Sequence, residues 1–347
     1  MLCRKSVQTN IKLEVDSVKK ILILANSSGG LYDFRNDFVL GLLKDYEVYV
    51  SIPDEVKTKE LAEEGCKIIK TPINRRGVNP VEDFKLFLAY RKLMKEIKPD
   101  LVATYTIKPN IYGGMAAQSR KIPYIETITG LGGAFDRKGL FLKLIVTLYR
   151  IGMKKAECIF FQNRENRQIF RDFGIEGKSE CLVNGSGVDL IRHTFEPYPM
   201  DEKCQFLFVG RVMKERGIVE FLEAAKKLHS ENVEFAILGY CDEDYQQQLD
   251  DLEKQGVITQ LGFHTEVHPY LKAASAIVIA SFHEGMSNAL IEASATGRPV
   301  IASRISGCKE AFEEGITGFG FTPGKSEELI AAMEQFLSLP VKERARM

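Results

Sequence analysis

The 347-residue sequence lacks most of the features that would assign a protein quickly. It carries no net charge: Lys+Arg and Asp+Glu both total 47, so global electrostatics point to no nucleic-acid partner. No uninterrupted apolar run reaches the ~20 residues that a membrane-spanning helix needs. The opening stretch MLCRKSVQTNIKLEVDS contains no apolar signal-peptide core, and residues 1–19 read as a loose leader. The seven cysteines are odd in number and show no CxxC spacing, which argues for reduced thiols in the cytoplasm. GxSxG, HExxH, P-loop and zinc patterns are all missing. His264 and His268 stand at i,i+4 but have no third ligand at suitable spacing, so no metal is expected. GxGxxG is missing too, and no acidic residue occupies the usual dinucleotide place, which weakens a nicotinamide reading.

What the chain does have is alternation. Short β-branched runs at 21–27, 47–53, 66–72, 101–106, 124–129, 158–163 and 181–185 read as strands. Amphipathic patterns at 34–44, 56–64, 80–97, 109–119, 140–155 and 164–173 read as the helices between them. A second series follows: strands at 205–211, 233–239, 257–262, 277–281, 300–303 and 318–321. Its helices fall at 216–229, 243–255, 267–274, 289–296, 308–314 and 326–337. The pattern predicts an α/β protein of two Rossmann-like, doubly wound parallel sheets facing across a cleft. The first domain spans 20–187, a polar, proline-containing linker 188–203, and the second domain 204–347.

Three stretches carry chemistry. Asn26-Ser27-Ser28-Gly29-Gly30 follows the first strand, and its glycine pair lets backbone N–H groups approach a phosphate; a plain strand-to-helix turn explains the same residues. Val209-Gly210-Arg211 and Arg216 place two guanidiniums at a helix start, where the dipole disfavours cations. Such a misplacement suits residues that clamp a diphosphate. Lys214 between them reads as solvated. Finally, AIVIASFHEGMSNALIEASATGRPVIAS (276–303) reads as strand, loop, helix, strand. Its helix N-terminus at Ser287-Asn288-Ala289 suits an anion, and Glu284 and Glu292 flank it as candidates for hydroxyl recognition. Helix 140–155 joins an apolar face to Lys143, Arg150, Lys154 and Lys155, with Arg137 and Lys138 just before it. That composition fits either a core helix with a wet face or one that lies on an anionic membrane.

Taken together, NSSGGLYDFRNDF, TYTIKPNIYGGMAA, ETITGLGGAF, GRVMKERG and HEGMSNALIEASATGRPVIAS resemble family 4 glycosyltransferases of the GT-B fold. The likeness runs from about Lys20 onward and is strongest to bacterial capsule, O-antigen and lipid-linked-oligosaccharide UDP-sugar transferases. It implies that Arg211 and Arg216 neutralise the leaving diphosphate and that Glu284 contacts the donor sugar. By the same resemblance, Glu292 takes the ribose, and Gly210, Gly285, Met286, Ser287, Asn288 and Ala289 line the diphosphate seat, with Gly29 and Gly30 closing over it. It further implies retention of anomeric configuration, no cofactor and no metal. The expected partners are a UDP-sugar donor, a lipid-linked sugar acceptor and the anionic inner membrane, touched peripherally from the cytoplasmic face, with no nucleic acid. Arg216 stands where the family commonly has Lys, and Thr129-Gly130 stands where many members carry His. The family's closing helix is expected to be absent, because the sequence stops at VKERARM. A nucleotide-sugar 2-epimerase and an inactive nucleotide-sugar-binding protein remain as alternatives.

Overall fold

The computed structural model describes residues 18–74, 79–135, 139–201 and 203–347. Almost all of the leader at 1–19, together with Arg137 and Lys138, lies outside the described residues. The first half contributes β1 (Lys20–Leu24), β2 (Glu47–Ile52), β3 (Lys67–Lys70), β4 (Leu101–Tyr105), β5 (Tyr124–Ile128), β6 (Cys158–Phe161) and β7 (Glu180–Leu182). Its helices are α1 (Ser28–Leu43), α2 (Thr58–Glu63), α3 (Pro80–Ile97), α4 (Gly114–Arg120), α5 (Leu140–Met153) and α6 (Arg164–Asp172). The second half adds β8 (Cys204–Val209), β9 (Val233–Leu238), β10 (Thr259–Gly262), β11 (Ala276–Ile279), β12 (Val300–Ser303) and β13 (Gly318–Phe321). With them come α7 (Ile218–Leu228), α8 (Gln246–Lys254), α9 (His268–Ala273), α10 (Asn288–Thr296), α11 (Ser326–Ser338) and α12 (Val341–Arg344).

The strands form two parallel sheets, ordered β3-β2-β1-β4-β5-β6-β7 and β10-β9-β8-β11-β12-β13. Each is covered on both faces, which is why its central strands read as unbroken apolar runs. In β1, Ile21 and Ile23 pack toward α1 and α2, while Leu22 and Leu24 pack toward α3, α4 and α5. In each sheet the order reverses beside the first strand, between β1 and β4 and between β8 and β11. A crevice opens at such switch points, outside the C-terminal strand ends.

Several helices depart from the sequence pattern. The helix expected at 34–44 begins six residues earlier, because the Ser27 hydroxyl accepts the Gly30 N–H at 3.2 Å and caps it. The segment expected as helix 109–119 opens with a π turn over Pro109–Gly113 before α4. A Cβ on Gly114 or Gly152 would strike the opposing backbone, so these glycines let α4 and α5 approach closely. The 216–229 helix begins only at Ile218, after a 3₁₀ turn at Lys214–Arg216 and the left-handed Gly217. The expected helix 308–314 does not form and is a single 3₁₀ turn at Lys309–Ala311. There the Glu310 carboxylate accepts from the Gly307 N–H and the Ser306 hydroxyl, and Phe312 returns to extended backbone.

Candidate active site

The segment after β11 sits between the two halves of the molecule. Asn163, buried at the start of α6, accepts the Asn166 N–H through Oδ1 at 2.8 Å. Its Nδ2 reaches the other way, donating to the Gly285 carbonyl at 2.5 Å and the Glu284 carbonyl at 3.3 Å. Gly285 is hemmed in by the Thr129 carbonyl and the Gln162 side chain, leaving no room for a Cβ. From its own side, the Gly307 carbonyl accepts the Ser287 N–H at 2.9 Å. The loop that begins α10 is therefore clamped by both halves.

Arg216 and Glu284 form an ion pair through Nη1 and Oε1, and the same Nη1 donates to the Ser281 hydroxyl at 3.3 Å. Arg211, coming off β8, is paired with Asp242 at 2.7 Å. α10 has Ser287 at its N-cap without any side-chain cap bond, and no acid stands in its first turn. Its positive end is thus left uncompensated beside two guanidiniums. Burial pushes the Glu292 carboxyl up to about 7; Arg192 pulls it the other way and Asp33 adds to the rise.

Two cavities meet here. The larger, about 1080 Å³, runs between α1 and α10 and is lined among others by Gly30, Asp33, Gly210, Tyr240, Phe263 and Glu292. The smaller, about 240 Å³, lies toward Lys108, Gly130, Gly132, Glu215, His283 and Gly285. Asn26, Ile73, Thr106, Thr129, Arg211, Arg216 and Glu284 border both, so the ion pair stands where two ligands would touch.

The sequence matches two family profiles: "Glycosyl transferase 4-like" over residues 20–163 and "Glycosyl transferases group 1" over 203–338. It is 27% identical to an N,N'-diacetylbacillosaminyl-diphospho-undecaprenol alpha-1,3-N-acetylgalactosaminyltransferase of Campylobacter jejuni, covering 86% of this chain and 84% of that protein. It is 25% identical to a UDP-Gal:alpha-D-GlcNAc-diphosphoundecaprenol alpha-1,3-galactosyltransferase of Escherichia coli, covering 86% and 81%. Among solved structures, Anabaena HepE in complex with UDP-glucose superposes with a TM-score of 0.76 at 18% identity, over 94% of this chain and 92% of that one. The chain belongs to the family 4 glycosyltransferases of the GT-B fold. That membership sets aside the epimerase alternative.

In this glycosyltransferase the residues singled out from sequence gather at one place, with two qualifications. Gly30 lines the large cavity but Gly29 does not, and the Gly30 N–H is already committed to Ser27. Glu284 is not an isolated carboxylate, because Arg216 occupies one of its oxygens. Met286 packs beneath Gly185, and Lys214 is exposed as expected. His264 and His268 turn to different carbonyls, of Leu261 and Thr194.

Some residues that line these cavities were not visible in the sequence. Tyr240 and Phe263 leave β9 and β10, meet edge to face at 5.7 Å between ring centres, and remain about half exposed in the large cavity. Thr106 has φ 73, a left-handed conformation that costs a β-branched residue on the order of 1–3 kcal/mol. Its hydroxyl is buried with no partner among the described residues. Asp33 and Arg192 face Glu292 electrostatically, although they are far apart in sequence. Only an exposed aromatic or a strained backbone marks such positions, and neither shows in a residue string.

Proposed function

We propose that this enzyme moves a hexose or N-acetylhexosamine, with retention, from a UDP-sugar to a sugar carried on a polyprenyl diphosphate. The observation that carries the reading is the Arg216–Glu284 pair beside the uncapped start of α10, at the junction of the two cavities. The donor diphosphate takes the helix N-terminus and draws Arg216 and Arg211 toward it. Glu284 then exchanges its guanidinium partner for a hydroxyl of the donor sugar. Glu292 receives the ribose, and Tyr240 and Phe263 offer aromatic faces to the base. The bond from the anomeric carbon to the β-phosphate oxygen breaks while the acceptor hydroxyl oxygen bonds on the same face. The acceptor's proton passes to the departing phosphate oxygen, whose charge the two arginines hold.

The acceptor class is supported by the two relatives, whose names place an undecaprenyl diphosphate on their substrates. Among the described residues, no helix is long and apolar enough to cross a membrane. The outer face of α5 does mix exposed Leu140, Leu144 and Ile151 with Lys143, Arg150, Lys154 and Lys155. A face of that composition rests on anionic lipid from the cytoplasmic side.

The test is transfer from UDP-hexoses and UDP-N-acetylhexosamines to a short-chain prenyl-diphosphate sugar, with the new linkage read by NMR. An α-linked product supports retention, and a β-linked one overturns it. UDP binding without transfer to any such acceptor supports an inactive binding protein instead. Arg216→Gln and Glu284→Gln should each lower kcat about 10²–10³-fold, as loss of a donor or acceptor at a reacting centre does. Full activity in either variant removes that residue from the mechanism.

A further inference from the structure

Arg35 has no role in the scheme above, yet its surroundings call for a ligand. From the third turn of α1 its guanidinium folds back toward the helix start, and Nη1 donates to the Gly30 carbonyl at 3.1 Å. That puts a cation against the positive end of its own helix, where the dipole opposes it. The guanidinium lies over the Tyr105 ring, 4.8 Å from its centre. Burial draws its pKa down, and the phenol of Tyr105 is the group that opposes the shift. No carboxylate pairs with Arg35 among the described residues. A desolvated guanidinium without an acid is costly to keep unless a ligand supplies the charge.

Only Nη1 has a hydrogen-bond acceptor among the described residues, Arg35 lines the large cavity, and the in-plane N–H edge of a guanidinium is the part that recognises phosphate. Tyr105 and the strained Thr106, whose hydroxyl is buried and unpartnered, line the same large cavity as Arg35. Arg211, Arg216 and α10 stand on the second-domain side of that cavity. We propose that Arg35, together with the Thr106 hydroxyl, is a phosphate-binding position on the first-domain wall of the cleft, holding an oxygen of a substrate diphosphate. This rests on the transferase reading, under which that diphosphate belongs either to the nucleotide donor or to the isoprenoid acceptor. Substrate anion held from both walls would also couple binding to the closeness of the domains.

The experiment compares calorimetric binding of UDP, farnesyl diphosphate and phosphate-free uridine to wild type, Arg35→Lys, Arg35→Gln and Thr106→Val. Arg35→Gln should lose about tenfold to a hundredfold in affinity for UDP or for farnesyl diphosphate, with Arg35→Lys recovering part of it. Thr106→Val, which retains the β-branched shape, should weaken the same probe less. Loss confined to UDP assigns the donor, and loss confined to farnesyl diphosphate assigns the acceptor. Unchanged affinity for both, or an equal loss for uridine, overturns the proposal while wild-type UDP binding leaves the transferase reading standing. Wild type that binds neither diphosphate overturns both.

Discussion

Replacing Glu292 by Gln probes the cleft through stability alone, before any substrate is added. Burial raises the Glu292 carboxyl from 4.5 to about 7, so the folded state holds its proton over a pH range where the unfolded chain has released it. A raised carboxyl favours folding at low pH, and the advantage is lost as pH rises from the unfolded value toward the folded one. At about 1.4 kcal/mol per unit, the full span amounts to roughly 3 kcal/mol, of which about 2.5 kcal/mol falls between pH 5 and pH 8. Glutamine keeps the shape without titrating, so Glu292→Gln should lose less stability over that interval than wild type. Urea unfolding at pH 5, 6.5 and 8 would measure this as a gap between the two proteins that widens with pH. A gap that stays constant would refute the reasoning, because it would mean that Glu292 titrates alike in both states. Asp33, which adds to the rise that burial causes, gives a control: Asp33→Asn should lower the Glu292 pKa slightly and narrow the gap a little. If the carboxylate also receives ribose hydroxyls, UDP binding will release a proton near pH 7, and that release will vanish in Glu292→Gln.

Other outcomes follow from single contacts. Glu126 is fully buried in β5, neither of its oxygens has a hydrogen-bond partner among the described residues, and burial raises its pKa well above the ordinary carboxylate range. Glu126→Gln should therefore fold normally and melt higher than wild type at alkaline pH; a lower melting temperature at every pH would show that the acid has a required partner. Asn163→Asp would turn a negative oxygen toward the Glu284 and Gly285 carbonyls, while Asn163→Ala only deletes the bonds. Aspartate should be the worse of the two in kcat, with alanine losing about 1–3 kcal/mol of stability; equal kinetics for both would deny the clamp a role in holding the α10 loop. Gly285→Ala should reduce transfer strongly even though alanine adds one methyl group, because that methyl meets the Thr129 carbonyl and Gln162. Wild-type rates in Gly285→Ala would show that the halves separate freely during turnover.

Much of this protein could be read from its residues in order. The thirteen strands of the described residues lie where the short runs predicted them. The central ones, such as β1, β11 and β12, are buried on both faces and so are apolar almost throughout, while the edge strands β3, β7 and β10 keep exposed polar positions. The constellation Arg211, Arg216, Glu284 and Glu292 was legible for a related reason: strand-end and helix-start positions are set locally, and the parallel topology then brings those ends to one crevice. Local pattern failed where a side chain competed with the backbone, as Glu310 does at the missing helix over 308–314. It also failed at the start of α1, where the Ser27 cap and two glycines precede the first apolar residue of the helix.

Tertiary structure alone decided which groups meet. That Glu284 is held by Arg216, that Asn163 reaches across to the loop before α10, and that Glu292 shares a cavity wall with Asp33 are facts of chain packing. The same holds for the strain at Thr106 and for the isolation of Arg35 over Tyr105. Sequence determines the periodicity with which a segment can bury its apolar side, and hence the element and its sheet. Desolvation and pairing depend on neighbours distant along the chain, and those are assigned only when the two sheets pack face to face across the cleft.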